Sequence, residues 1–73
     1  MRVKNLDGKI FTGDADQVIR AMWKGVLAPA ATIEQWMADS AQRAKDWNGA
    51  ETRTTSTVEH LEDLLAAGIV ELA

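Results

Sequence analysis

The chain has no cysteine, so neither a disulfide nor a thiolate zinc site can staple it. It contains one histidine and one proline, and no run of about 18 apolar residues that would span a bilayer. None of the GxGxxG, P-loop or GxSxG patterns that cradle phosphates or present a serine nucleophile occurs. Basic charge is also scarce. Eight Lys and Arg face eleven Asp and Glu, giving a net charge of −3 and a pI near 4.9, which argues against a general phosphate-binding surface. No charged segment followed by an apolar stretch and a small-residue cleavage site opens the sequence, so the expected location is cytoplasmic. Enzyme, metal and cofactor chemistry are left without a motif, and the expectation is a non-catalytic protein that uses no cofactor.

What is present is globular. Apolar residues make up 47% of 73 residues, enough for one domain. A domain this small hides only about 60 to 65% of the surface its unfolded chain exposes, so self-association or docking on a partner is a ready way to complete the core.

Ile33, Trp36, Met37, Ser40, Ala41, Ala44 and Trp47 recur at i, i+3, i+4, i+7 spacing, which predicts an amphipathic helix over 32–48 as the central slab of the core. Thr32 with Gln35 makes a capping-box pair at its start, and Asn48-Gly49 gives a left-handed end. Met1 to Gly13 reads as a β-hairpin. A three-residue turn over Leu6-Asp7-Gly8 pairs Val3 with Phe11 and gathers Met1, Val3 and Phe11 on one face, leaving Ile10 beside Arg2 and Lys4 on the other. Asp14, with Gln17 at N3, caps a helix over 14–28 whose stripe is Ala15, Val18, Ile19, Met22, Trp23 and Val26; Pro29 requires it to stop by Leu27 or Ala28. The short connector 28–31 then makes the first two helices neighbours with facing stripes.

Residues 48–55 are Thr-rich and read as a loop, with a short edge strand through Thr52 to Thr54 as the alternative. Ser56 and Glu59 cap a third helix over 56–67 with a Val58, Leu61, Leu64, Leu65 stripe. Gly68 closes it, bringing Ile69 against Leu64 in a Schellman ending. Residues 69–72 complete the pattern as a strand added to the hairpin. The expected fold is α+β, one domain, in the order ββαααβ with helices on one face of a small sheet.

The charge is unevenly spread. Residues 1–13 carry Arg2, Lys4 and Lys9 against Asp7, a balance of +2, whereas 51–73 carry Glu51, Glu59, Glu62, Asp63 and Glu71 against Arg53, a balance of −4. His60 lies beside the third helix's stripe and is expected at the surface. Asp14 and Asp16 read as helix-start acids favoured by the macrodipole, not as a cation site. Trp36 is expected in the core. Trp23, on the edge of its stripe, and Trp47, at a helix end, are candidates for a binding surface, because tryptophan is over-represented at interface hot spots.

The run from Ser56 to Leu72, a capped helix followed by Ala-Ala-Gly and an aliphatic-acidic strand, resembles the helix-to-wing junction of winged-helix DNA-binding domains. That resemblance implies nucleic-acid contact, with Arg2, Lys4 and Lys9 of the hairpin as the available cations. The leading expectation is instead a small acidic protein-binding module, an inhibitor or adaptor of the kind phage and mobile elements use against basic nucleic-acid-handling proteins. Its contacts would be Glu59, Glu62, Asp63, Glu71, Trp23 and Trp47. A homodimer joined through Ile10 and Trp23 is expected alongside it.

Overall fold

The computed structural model describes residues 1–26 and 30–73. The hairpin is built from β1 (Arg2–Lys4) and β2 (Ile10–Thr12), and its register sets Val3 opposite Phe11, as the three-residue turn requires. Four local bonds hold that turn: Asn5 N–H to Lys9 O and Gly8 N–H to Asn5 O, both at 3.0 Å, Lys9 N–H to Asp7 Oδ1 at 2.9 Å and Asp7 N–H to Asn5 Oδ1 at 3.2 Å. With this register Val3 and Phe11 are buried while Arg2, Lys4, Ile10 and Thr12 stay exposed. β3 (Glu71–Leu72) lies antiparallel on the other edge of β1, giving the order β2-β1-β3. It is shorter than the strand expected over 69–72, because the N–H groups of Ile69 and Val70 are both turned back onto Leu64 O.

Three helices follow in chain order: α1 (Ala15–Lys24), α2 (Ile33–Asn48) and α3 (Thr57–Ala66). Asp14 and Gln17 form a complete capping box at α1. At α2 and α3 only half of each box forms. Thr32 and Ser56 accept from the N3 main chain, but the Gln35 amide bonds Asp39 and the Glu59 carboxylate takes hydroxyl donors and Arg53. α1 ends at Lys24, short of the span 14–28. The N–H of its cap, Gly25, is shared between Ala21 O and Met22 O, and glycine is a poor residue with which to extend a helix. The expected stop at Leu27 or Ala28 and the first half of the connector lie outside the described residues. Residues 52–54 form no strand, so this stretch is a loop.

Architecture and element order are those of an α+β domain, ββαααβ, with an antiparallel three-stranded sheet. The inner sheet face (Val3, Phe11), with Val70 just before β3, meets α1 through Val18, Ile19 and Met22, while α2 and α3 add Ile33, Trp36, Met37, Leu61 and Leu64. One core therefore covers most of the large apolar side chains within a single chain and leaves Ile10, Val26 and Trp47 exposed. α1 packs on α2, as the short connector requires, and more extensively on α3. A hydrogen bond from Thr57 Oγ1 to Asp16 Oδ1 at 2.7 Å ties the α1–α3 pair and holds Asp16 below the ordinary carboxylate range.

Gly68 and Gly13 are two of four glycines held at positive φ. Gly68, at φ +74°, closes α3 with the Schellman pair of bonds, Ile69 N–H to Leu64 O at 3.0 Å and Gly68 N–H to Leu65 O at 3.1 Å. Gly13, at φ +142°, joins the hairpin to α1, and a Cβ there would lie 2.8 Å from Gln17 Cβ. Gly68→Ala, which meets no neighbour, should cost about 1 kcal/mol of unfolding free energy. Gly13→Ala must also break the Asp14–Gln17 capping box and should cost more, about 2 kcal/mol. Denaturant melts of the two variants check the order, and an equal or reversed ranking contradicts it.

Candidate functional site

The carboxylates of α3 do not stand free. Arg53, in the loop before α3, donates from its main-chain N–H (2.7 Å) and its Nε (2.9 Å) to Asp63 Oδ2, and from Nη2 to Asp63 Oδ1 at 3.0 Å. Its Nη1 reaches Glu59 at 2.7 Å and its Nη2 reaches Glu62 at 3.4 Å. Three of the four carboxylates expected to meet a partner are thus turned onto one guanidinium of the same chain. Hydrogen bonds from Arg53 hold Asp63 below its ordinary value of 3.8. Glu59 is held below 4.5 first by the Thr55 and Ser56 hydroxyls and then by the Arg53 charge.

His60 is fully buried, contrary to its expected surface position. The buried face of α3 is His60, Leu61 and Leu64, while Val58 is exposed, so the helix is rotated away from the aliphatic stripe. Both ring nitrogens are engaged: Nδ1 lies 2.8 Å from Arg53 O and Nε2 lies 3.0 Å from Ser40 Oγ. A carbonyl only accepts, so Nδ1 carries the proton and Nε2 accepts from the Ser40 hydroxyl. Trp36 meets the ring edge-on, with centroids 6.0 Å apart and planes at 82°. Burial pushes the His60 pKa below 6.5 and keeps the ring neutral.

Ser40 Oγ, His60 and Arg53 O make a line in which a hydroxyl meets a base oriented by a third group. Acyl transfer also requires unengaged N–H donors for the developing oxyanion. Ser40 lies well inside α2, where main-chain N–H groups belong to the helix ladder. The line instead ties α2, α3 and the loop together. Among the described residues the Trp36 indole N–H and Thr52 Oγ1 are buried without partners, and no three His, Asp or Glu side chains converge as a metal site.

A cleft of about 490 Å³ opens between the hairpin turn and α2, within the range of ligand pockets. Phe11, Met22, Leu64 and Val70 form its floor, and the α2 row Trp36, Ser40, Ala44 and Trp47 forms one wall. Leu6 on the turn and Val26 beyond α1 stand at its other margins. Trp47 and Leu6 are 59% and 64% exposed, so the rim is apolar and wet. Arg43, Lys9 and Asp7 supply its charge.

The structure separates several residues that the sequence grouped. The Trp23 ring is half-buried against the core and donates its Nε1–H to Ala30 O at 2.8 Å. Ile10, 42% exposed, sits on the outer sheet face with Arg2 and Lys4. Lys9 lies on the helix side, 5.5 Å from the centroid of Phe11, so the three hairpin cations do not form one patch. Glu71 is exposed and stands across from Lys4. The strand after α3 pairs with the N-terminal hairpin, as expected of residues 69–72. Sequence reasoning missed His60, Arg53, Arg43 and Leu6. The Thr57, His60, Leu61, Leu64 spacing carried a signal for His60, but nothing local marked the others.

The chain matches no family model, no curated protein and no solved structure. No helix among the described residues is long and apolar enough to cross a membrane.

Acid should weaken the fold in two windows. His60, whose folded pKa is depressed, gives stability that is complete above its ordinary 6.5 and is lost as pH falls below it. The depressed Glu59 and Asp63 give stability complete above 4.5 and 3.8 and lost below those values. In thermal melts taken from neutral pH to about pH 3, His60→Phe should remove the first loss and Arg53→Gln should flatten the second. At neutral pH His60→Phe strands the Arg53 carbonyl and the Ser40 hydroxyl, at a cost on the order of 2 kcal/mol. A wild-type melting temperature unchanged across the His60 window contradicts the assignment.

Proposed function

We propose that this chain is a non-catalytic protein-interaction module, an inhibitor or adaptor, that engages its partner through the cleft between the hairpin turn and α2. The observation that carries this reading is the cleft itself: an apolar floor inside the domain continues outward onto exposed Trp47 and Leu6. A large ring on the rim of a preformed apolar pocket is the usual anatomy of an interface hot spot. Contact through the acidic third has less support. A basic nucleic-acid-handling partner would have to compete with Arg53 for Glu59, Glu62 and Asp63. The outer sheet face, with Ile10, Arg2 and Lys4, is the remaining surface for a homodimer or a nucleic acid.

Selection of ligands from a random peptide library displayed on phage tests the reading. Enriched peptides should carry a large apolar residue and lose binding by about 2 kcal/mol or more to Trp47→Ser and Leu6→Ser, while Ile10→Ser leaves it intact. All three side chains are exposed, so the variants should keep the fold. Peptides that bind Trp47→Ser and Leu6→Ser as well as the parent, or that depend on Ile10, overturn the assignment to the cleft.

A further inference from the structure

We infer that the partner segment seated in this cleft carries a carboxylate next to its apolar anchor, and that Arg43 receives it. The inference rests on the cleft reading above and names the chemistry of the occupant.

Arg43 lies on the cleft-lining side of α2, one turn before Trp47, and is exposed. Its natural intrahelical partners would be Asp39, four residues before it, and Asp46, three residues after. Each accepts a glutamine amide and neither pairs with Arg43: Gln35 Nε2 donates to Asp39 Oδ1 at 3.0 Å and Gln42 Nε2 donates to Asp46 Oδ1 at 2.9 Å. The ion pairs among the described residues use Arg20, Lys45 and Arg53, and Arg43 has none. A guanidinium presents a planar fork of donors that suits a carboxylate, and one standing unpaired beside an apolar recess selects for an acid close to a hydrophobic side chain.

The remaining rim charges agree with this. Lys9 Nζ hangs over the C-terminal end of α1, 3.1 Å from where a Gly25 Cβ would stand, so its charge is partly balanced by that helix end and by the Phe11 face. Asp7, the one carboxylate lining the cleft among the described residues, accepts from Lys9 N–H and is engaged in the turn. The cleft thus has a cationic margin on a protein of net charge −3.

Three short synthetic peptides sharing a central Phe-Leu pair test the inference, flanked by Asp and Glu, by Ser and Gly, or by Lys and Arg. Each is titrated into ¹⁵N-labelled protein while the Trp47 indole and Arg43 Nε–H cross-peaks are followed. At low salt the acidic peptide should bind about tenfold tighter than the neutral one and the basic peptide should bind weakest, the gap narrowing as salt rises. Arg43→Gln should erase the acidic advantage, and Arg43→Lys should keep only part of it. Equal binding of acidic and neutral peptides, or an advantage that survives Arg43→Gln, overturns the inference and leaves the cleft reading standing. Binding of none of the three overturns both. Shifts of the same cross-peaks with protein concentration alone identify a second copy as occupant and overturn the acidic partner segment.

Discussion

Arg53 belongs to a stretch without secondary structure, yet it bonds α3 through its N–H, its carbonyl and its guanidinium. Without it, Glu59, Glu62 and Asp63 would stand three and four residues apart on one helix as like charges, an arrangement that weakens a helix. An isolated surface ion pair contributes little, but here several bonds converge on a single side chain whose main chain is also fixed, and the conformational cost is shared among them. The carbonyl of the same residue then sets the His60 tautomer, so that Nε2 can accept from Ser40 in α2. One loop residue thus decides both how α3 is faced by solvent and how it is locked to the helix behind it.

The cleft follows from unequal helix lengths. α2 has 16 residues and α1 and α3 have 10 each, so at 1.5 Å per residue α2 runs about 24 Å against about 15 Å for the others. The first part of α2 gives Ile33, Trp36 and Met37 to the core, whereas later in the helix Arg43 and Trp47 reach the surface on either side of buried Ala44. The hairpin turn, fixed by Asn5, Asp7 and Gly8, stands across the gap and supplies Leu6 as the facing margin.

Much of the fold was legible because its determinants are local. The Asp14–Gln17 box, the Asn48-Gly49 ending, the Gly68 Schellman turn and the Val3–Phe11 register each depend on residues a few positions apart or on the alternation of one strand pair. α3 shows where such reading slips. The aliphatic choice of Val58, Leu61, Leu64 and Leu65 and the mixed choice of Thr57, His60, Leu61 and Leu64 both fit a helical period, and preference for hydrophobic side chains selects the first. The fold takes the second, because Ser40 and the Arg53 carbonyl satisfy His60 inside the core and Asp16 satisfies Thr57. Those partners lie seven to 41 residues away in sequence, beyond any periodicity. The cleft was illegible for the same reason, since Leu6 and Trp47 share it only once the hairpin and α2 have been brought together.

An acidic protein with a cationic margin on its cleft presents two opposing fields to an acidic partner. The net charge of −3 opposes its approach at long range, and Arg43 attracts its carboxylate at contact. At physiological ionic strength the Debye length is about 8 Å, well below the 22 to 26 Å extents of the domain, so charges on its far side are largely screened. The carboxylates near the cleft matter more. Asp39 and Asp46 lie within one turn of Arg43 on α2 and each accepts a glutamine amide, so an incoming carboxylate gains most when the fork geometry at Arg43 is met in full. Carboxylates that arrive without an apolar anchor gain little from the floor of the cleft. The charge pattern therefore favours a segment in which the apolar residue seats first and places its acidic neighbour within reach of Arg43.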